Sequence, residues 1–315
     1  MPRQAFLFPG QGSQYVGMAG AILKRSPQTA RLLDEAKDLV PFDVGQLIRE
    51  GPRDLLFQDT PSQVATFVAN AIFWSLWKDQ GLIPQAVTGY SLGFYSALMA
   101  AQVFDFSAGL AMIQEAGRLM EEASASRPGK MAAVIGLLED EVFQICQEVQ
   151  GHGHAVVANL NASRQVVISG DAKAVEAACS LALARGALEA KEIEVEAAYH
   201  SPLMQDSAQR FAIFLRGVDL QDPRLPVLSY VDAEYVRDRE EARDLLSRQL
   251  HSQIRWKDCI ERLVREGVDT FIEVGPGQML SRLTRWIDRK VKVLATDDPV
   301  LLERIFEGGR VGETV

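Results

Sequence analysis

Residues 83–101 read IPQAVTGYSLGFYSALMAA, and the fold turns on them. Ile83 to Thr88 can form a short strand. Gly89-Tyr90-Ser91-Leu92-Gly93 then sets a serine between two glycines, and Phe94 to Ala101 reads as a buried helix. A strand, a sharp reversal and a helix with serine at the apex make a nucleophile elbow. Both flanking residues must be small there, since a side chain would strike the strand or the helix. On these residues alone, Ser91 is open to two readings: a nucleophile, or a serine in a glycine-rich turn.

Toward the N-terminus, Ala5-Phe6-Leu7-Phe8 is an apolar run stopped by Pro9-Gly10, as expected of a buried strand entering a loop. Gly10-Gln11-Gly12-Ser13-Gln14 follows, a loop able to bring backbone N–H groups close to a ligand. Helices are expected over 16–37, 63–79 and 94–122. Strand and helix alternate, which predicts a parallel α/β sheet. After a linker-like stretch, Ser124 to Gly129, the rhythm changes. Strands are expected at 131–137, 154–160, 165–169 and 187–195, with helices at 140–149 and 171–185. That β-α-β-β-α-β order is the ferredoxin-like unit. The predicted fold is therefore a large α/β-hydrolase-like domain with a parallel sheet, residues 1–127 and 196–315, carrying an inserted ferredoxin-like small domain, residues 128–195. The tail from Gly308 is expected to fray.

The chain has 315 residues, 47% hydrophobic and 24% charged, ample for a large core. A net charge of −9 argues against nucleic acid as a partner, because phosphate binding needs clustered Lys and Arg. Cys146, Cys179 and Cys259 are far apart with no paired spacing, so they are read as buried thiols in a reducing compartment. Neither a signal peptide nor a membrane-spanning run is expected, and the chain is read as cytoplasmic.

A serine hydroxyl needs a base within hydrogen-bond reach. Four histidines are available. His152 and His154 lie in a Gly-His-Gly-His turn and read as surface loop residues. His251 follows an apparent helix. His200, in Ala197-Ala198-Tyr199-His200-Ser201-Pro202-Leu203-Met204, sits where the chain re-enters the large domain. Either a base or a satisfied structural histidine fits that position.

Four motifs occur in order: Phe8-Pro9-Gly10-Gln11-Gly12-Ser13-Gln14, Gly89-Tyr90-Ser91-Leu92-Gly93, Tyr199-His200-Ser201-Pro202-Leu203-Met204 and Glu273-Val274-Gly275-Pro276-Gly277. Together the chain resembles the malonyl-CoA:acyl-carrier-protein transacylase family, including polyketide synthase acyltransferase domains, over about residues 4–290. Asn159-Leu160-Asn161 and Gln249-Leu250 are similar too. The resemblance implies Ser91 as nucleophile, His200 as base and acid, the backbone N–H groups of Gln11 and Leu92 as oxyanion hole, and the Gln249 carbonyl orienting the histidine. It implies Gln63, Tyr90, Phe94, Ala116, Tyr199 and Asn161 around the substrate pocket. Acyl-CoA or an acyl-carrier-protein thioester would be the donor and acyl-carrier protein the partner. A monomer with no cofactor and no metal is expected. Arg282, Arg285 and Arg289, spaced as on one helix face, are a candidate carrier-docking patch, with Arg255 and Lys257 nearby.

Three positions depart from the family. Malonyl-selective members carry an arginine where this chain has Ala116, and Tyr90 and Phe94 stand where histidine and glutamate are usual. Arg118 cannot replace that arginine, since two residues along a helix is about 200° of rotation. The expected acyl group therefore lacks a free carboxylate. A hydrolase clearing acyl groups from carrier proteins is the alternative on the same scaffold, and a non-catalytic carrier-binding protein the alternative of another class.

Overall fold

The computed structural model describes residues 3–195 and 197–307. The expected fraying from Gly308 and the re-entry point at Glu196 lie outside the described residues.

The first part of the chain runs β1 (Gln4–Phe8), α1 (Gly20–Arg25), α2 (Pro27–Leu39), α3 (Val44–Glu50), α4 (Arg53–Leu56), α5 (Asp59–Asp79), β2 (Ala86–Gly89), α6 (Gly93–Ala100) and α7 (Phe106–Ser126). A middle section follows with β3 (Gly129–Ile135), α8 (Glu139–Glu148), β4 (Ala155–Ala162), β5 (Gln165–Asp171), α9 (Ala172–Ala184) and β6 (Glu189–Ile193). The last part runs α10 (Gln205–Leu215), β7 (Val227–Leu228), α11 (Arg239–Arg248), α12 (Trp256–Arg265), β8 (Thr270–Glu273), α13 (Met279–Ile287), β9 (Lys292–Ala295) and α14 (Pro299–Phe306).

One sheet is parallel throughout, in the order β7-β2-β1-β8-β9. Its central strands are buried along their whole length, as parallel strands covered on both faces must be. The second sheet is antiparallel, in the order β4-β5-β3-β6, which interleaves two split β-α-β units. It has its own apolar cluster, where Val134, Val166 and Ile168 meet Val142, Ile145 and Ala178 from α8 and α9. The second sheet is tied to the last part of the chain by backbone: Ile254, after α11, exchanges hydrogen bonds with Ala158 and Leu160 of β4, each 2.8 Å. Among the described residues no helix is long and apolar enough to cross a membrane.

Of the differences from the expected helices, three have a clear local reason. The segment 16–37 breaks at Ser26, which is extended because the residue before a proline is barred from helical geometry, and Pro27 opens α2. The segment 94–122 breaks after Ala100, where Gln102 adopts φ 60° and the Asp105 carboxylate caps α7 by accepting from Ala108 N–H. The expected linker at Ser124–Ser126 is the last turn of α7, which ends at Arg127 ahead of Pro128.

Candidate active site

Ser91 stands between β2 and α6 with φ 52°, a left-handed conformation that non-glycine residues seldom adopt. The surrounding glycines make the turn possible. A Cβ at Gly89 would lie 2.0 Å from the Gly93 carbonyl, and one at Gly93 would lie 1.9 Å from the Phe8 carbonyl oxygen. One at Gly10 would sit 2.3 Å from the Tyr90 carbonyl oxygen and 3.6 Å from Leu92 N. The loop after β1 thus packs directly on the elbow. Asn70 of α5 fixes that loop by donating to the Pro9 carbonyl at 2.9 Å.

His200 also has positive φ, 56°, and its backbone N–H donates to the Leu250 carbonyl at 3.0 Å. Its Nε2 lies 2.9 Å from Ser91 Oγ, and its Nδ1 lies 3.0 Å from the Ser252 carbonyl oxygen. A carbonyl only accepts, so Nδ1 carries the proton and Nε2 presents its lone pair to the serine hydroxyl. Burial pushes the imidazole down to about 4; the Ser252 and Gln249 carbonyls oppose that shift, and His251 adds to it. At neutral pH the ring is an uncharged acceptor, able to take the serine proton. The 3.0 Å contact is to Ser252, three residues beyond the expected Gln249, whose carbonyl also favours the protonated ring. Ser252 follows the end of α11, in the segment that Ile254 ties to β4.

A cavity of about 40 Å³ opens beside these groups, lined by Gln11, Gln63, Leu92, Ala116, Met120 and Tyr199, with Tyr95, Gln249 and Leu250. Gln11, from the loop after β1, and Leu92, from the elbow, both border it beside Ser91. Ala116 is 1% exposed. None of the lining residues carries a formal charge near neutral pH. Arg118 points elsewhere, paired with Glu115 and Glu122 on the outer face of α7.

Tyr90, Asn161 and Phe94 do not line this cavity, contrary to expectation. The Tyr90 side chain reaches the second sheet instead. Its hydroxyl donates to Asn161 Oδ1 at 2.8 Å and accepts from Asn159 Nδ2, while its ring meets Trp256 edge-on at 5.6 Å. Asn161 belongs to β4 and not to a turn, because that strand runs on to Ala162. Burial pushes the Tyr90 phenol up to about 12, so it remains a neutral donor bracing the elbow against the second sheet. Phe94 is fully buried against Tyr230, whose ring stands edge-on behind His200 at 6.1 Å.

The arginine patch also differs. Helix α13 ends at Ile287, so Arg289 lies past it, and Arg285 donates to the Val293 carbonyl at 2.9 Å. Only Arg282 and Arg285 share the helix. Arg255 and Lys257 are paired with Asp258 and Glu261. His152 and His154 are exposed in the second-sheet region, and among the described residues no three potential ligands gather for a metal. Cys146 and Cys259 are buried and Cys179 partly so, all free.

Two participants had no motif to announce them. Ser252 is one. Asp59 is the other: its carboxylate accepts from Gln11 Nε2 at 3.0 Å and from the Tyr199 hydroxyl at 2.6 Å. Its only signal was a position one helical turn before Gln63.

The family model described as acyl transferase domain matches residues 5–294. The malonyl CoA-acyl carrier protein transacylase of Bacillus subtilis is 37% identical over 304 residues, 96% of each chain. The solved acyl-carrier-protein S-malonyltransferase of Burkholderia pseudomallei superposes with a TM-score of 0.93 at 36% identity, covering 98% of this chain and all of that one. A malonyl-transacylase solved in complex with a type II PKS acyl-carrier protein superposes at 0.94, with 33% identity over 98% of this chain and 100% of that one.

Proposed function

Since this chain belongs to the acyl transferase domain family, we infer that it is an acyl-carrier-protein S-acyltransferase, moving an acyl group from a thioester to the phosphopantetheine thiol of a carrier protein. The observation that carries this reading is the 2.9 Å contact between Ser91 Oγ and a buried, neutral His200, beside a small cavity. One of the related structures holds its acyl-carrier protein.

In the first half-reaction Ser91 Oγ attacks the thioester carbonyl carbon as His200 Nε2 takes its proton. The carbonyl oxygen gains negative charge, which the N–H groups of Gln11 and Leu92 and the N-terminal end of α6 favour. Each such donor is worth about 3–4 kcal/mol of barrier in comparable sites. The intermediate collapses by breaking the C–S bond, and the imidazolium returns its proton to the departing thiolate. An acyl-serine ester remains, and the carrier thiol reverses the sequence. The Ser252 carbonyl holds the imidazole in the tautomer that both steps need. One site serving both thiols predicts ping-pong kinetics. Double-reciprocal plots at several carrier concentrations should be parallel, and lines that converge would mean a ternary complex.

His200 sets the pH dependence. Its neutral form is the base and its folded pKa is about 4, so kcat/KM should stay flat from about pH 5 to 8 and fall as pH drops through about 4. Measured where circular dichroism shows the fold intact, an inflection near the ordinary histidine value would contradict this placement.

The acyl group we propose is short and uncharged. Ala116 faces the cavity where malonyl-selective members have an arginine, and no lining group carries positive charge. A carboxylate buried there without a partner costs about 3–5 kcal/mol, on the order of 10²–10³-fold or more in affinity. The cavity volume, about 40 Å³, is on the order of three water-sized spheres. No observation in the site favours the hydrolase or the non-catalytic reading.

A further inference from the structure

We propose that Asp59 is a positioning residue for acyl transfer: its carboxylate couples the loop carrying Gln11 to the segment carrying His200, so that both address Ser91 at once. This rests on the reading of Ser91 and His200 as nucleophile and base.

Asp59 opens α5, where a carboxylate is favoured by the helix dipole. Each of its oxygens has one partner from a distant part of the chain. Oδ1 accepts from the Gln11 carboxamide at 3.0 Å, and Oδ2 accepts from the Tyr199 hydroxyl at 2.6 Å. Gln11 sits between Gly10, whose carbonyl accepts from Ser13 Oγ at 2.7 Å, and Gly12, which has φ 99° and donates its N–H to Gln14 Oε1 at 2.7 Å; Asp59 adds the tether that ties this loop to α5 through the Gln11 side chain. Asn70 holds the loop one residue before Gly10, at the Pro9 carbonyl. Asp59 holds it one residue after. Asp59, Gln63 and Asn70 recur on one face of α5 at helical spacing, so a single rigid element sets the loop and one wall of the cavity.

Tyr199 is the residue before His200 and is 7% exposed. Its bond to Asp59 anchors one end of a segment whose other anchor is the His200 N–H on Leu250. One carboxylate therefore spans the two sides of the site. A misplacement of about 1 Å at such groups can cost about 10²-fold in rate.

The test uses the intact protein and a fluorophosphonate probe, which reacts with an activated serine whatever acyl group the enzyme prefers. Asp59→Ala should lower the limiting labelling rate about 10- to 100-fold while leaving the half-saturating probe concentration little changed. Asp59→Asn should restore most of that rate, because its amide can accept from Gln11 and donate to Tyr199. Equal slowing in both variants, or an Asp59→Ala rate within about twofold of the parent, overturns the proposal. Should Asp59→Ala fail to fold, Tyr199→Phe removes one of the two links alone. Slowing there supports the coupling, and an unchanged rate overturns it. A parent protein that the probe does not label at all would sink the nucleophile reading itself, a distinct result from a parent that labels and an Asp59→Ala variant that labels as fast.

Discussion

Ser91→Ala should abolish transfer from acyl-CoA to carrier protein, with a loss of about 10⁴–10⁶-fold in kcat. Alanine keeps the Cβ at the left-handed apex, so the elbow's strain is unchanged and the fold should survive. What disappears is the hydroxyl that lies 2.9 Å from His200 Nε2. The Gln11 and Leu92 backbone and the cavity remain, so substrate should still bind and compete. Transfer assays with the melting temperature as control read this directly. A variant retaining a tenth or more of parental turnover would show that another group carries the acyl chain.

The second large effect concerns acyl choice. The parent should prefer acetyl-CoA over malonyl-CoA, and Ala116→Arg should shift the ratio of their kcat/KM values toward malonyl by about 10²–10³-fold. Position 116 lies on the buried face of α7 beside Gln63 and Met120, where a guanidinium can meet a carboxylate at the far end of the acyl group. Met120 must move to admit it, since the cavity is only about 40 Å³. Acetyl transfer should therefore fall as malonyl transfer rises. A parent already selective for malonyl would mean that the neutral amides of Gln63 and Gln249 suffice to hold a carboxylate.

Much of this site was legible in the sequence because its signals are local. The glycines around Ser91 specify a turn that no larger residue fits, and the β-α-β-β-α-β order follows from short-range periodicity. Contacts made across the chain were not legible. Tyr90 reaches a strand 71 residues on, so its ring braces the two sheets where a pocket role was expected. Asp59 meets Tyr199 across 140 residues. Which carbonyl accepts the hydrogen bond from His200 Nδ1–H depends on how the chain leaves α11, and no residue type encodes that. The arginine spacing continued as a helix in sequence, whereas α13 stops at Asp288, whose backbone N–H closes the last turn on Thr284.

The most direct measurement is the intact mass and peptide map of the protein after brief incubation with acetyl-CoA, in the parent and in Ser91→Ala. The parent should gain one acyl group, on the peptide containing Ser91, and release it when carrier protein bearing a free phosphopantetheine thiol is added. Ser91→Ala should gain none. An adduct on any other residue, or acyl transfer to carrier without an acyl-Ser91 intermediate, would contradict the account.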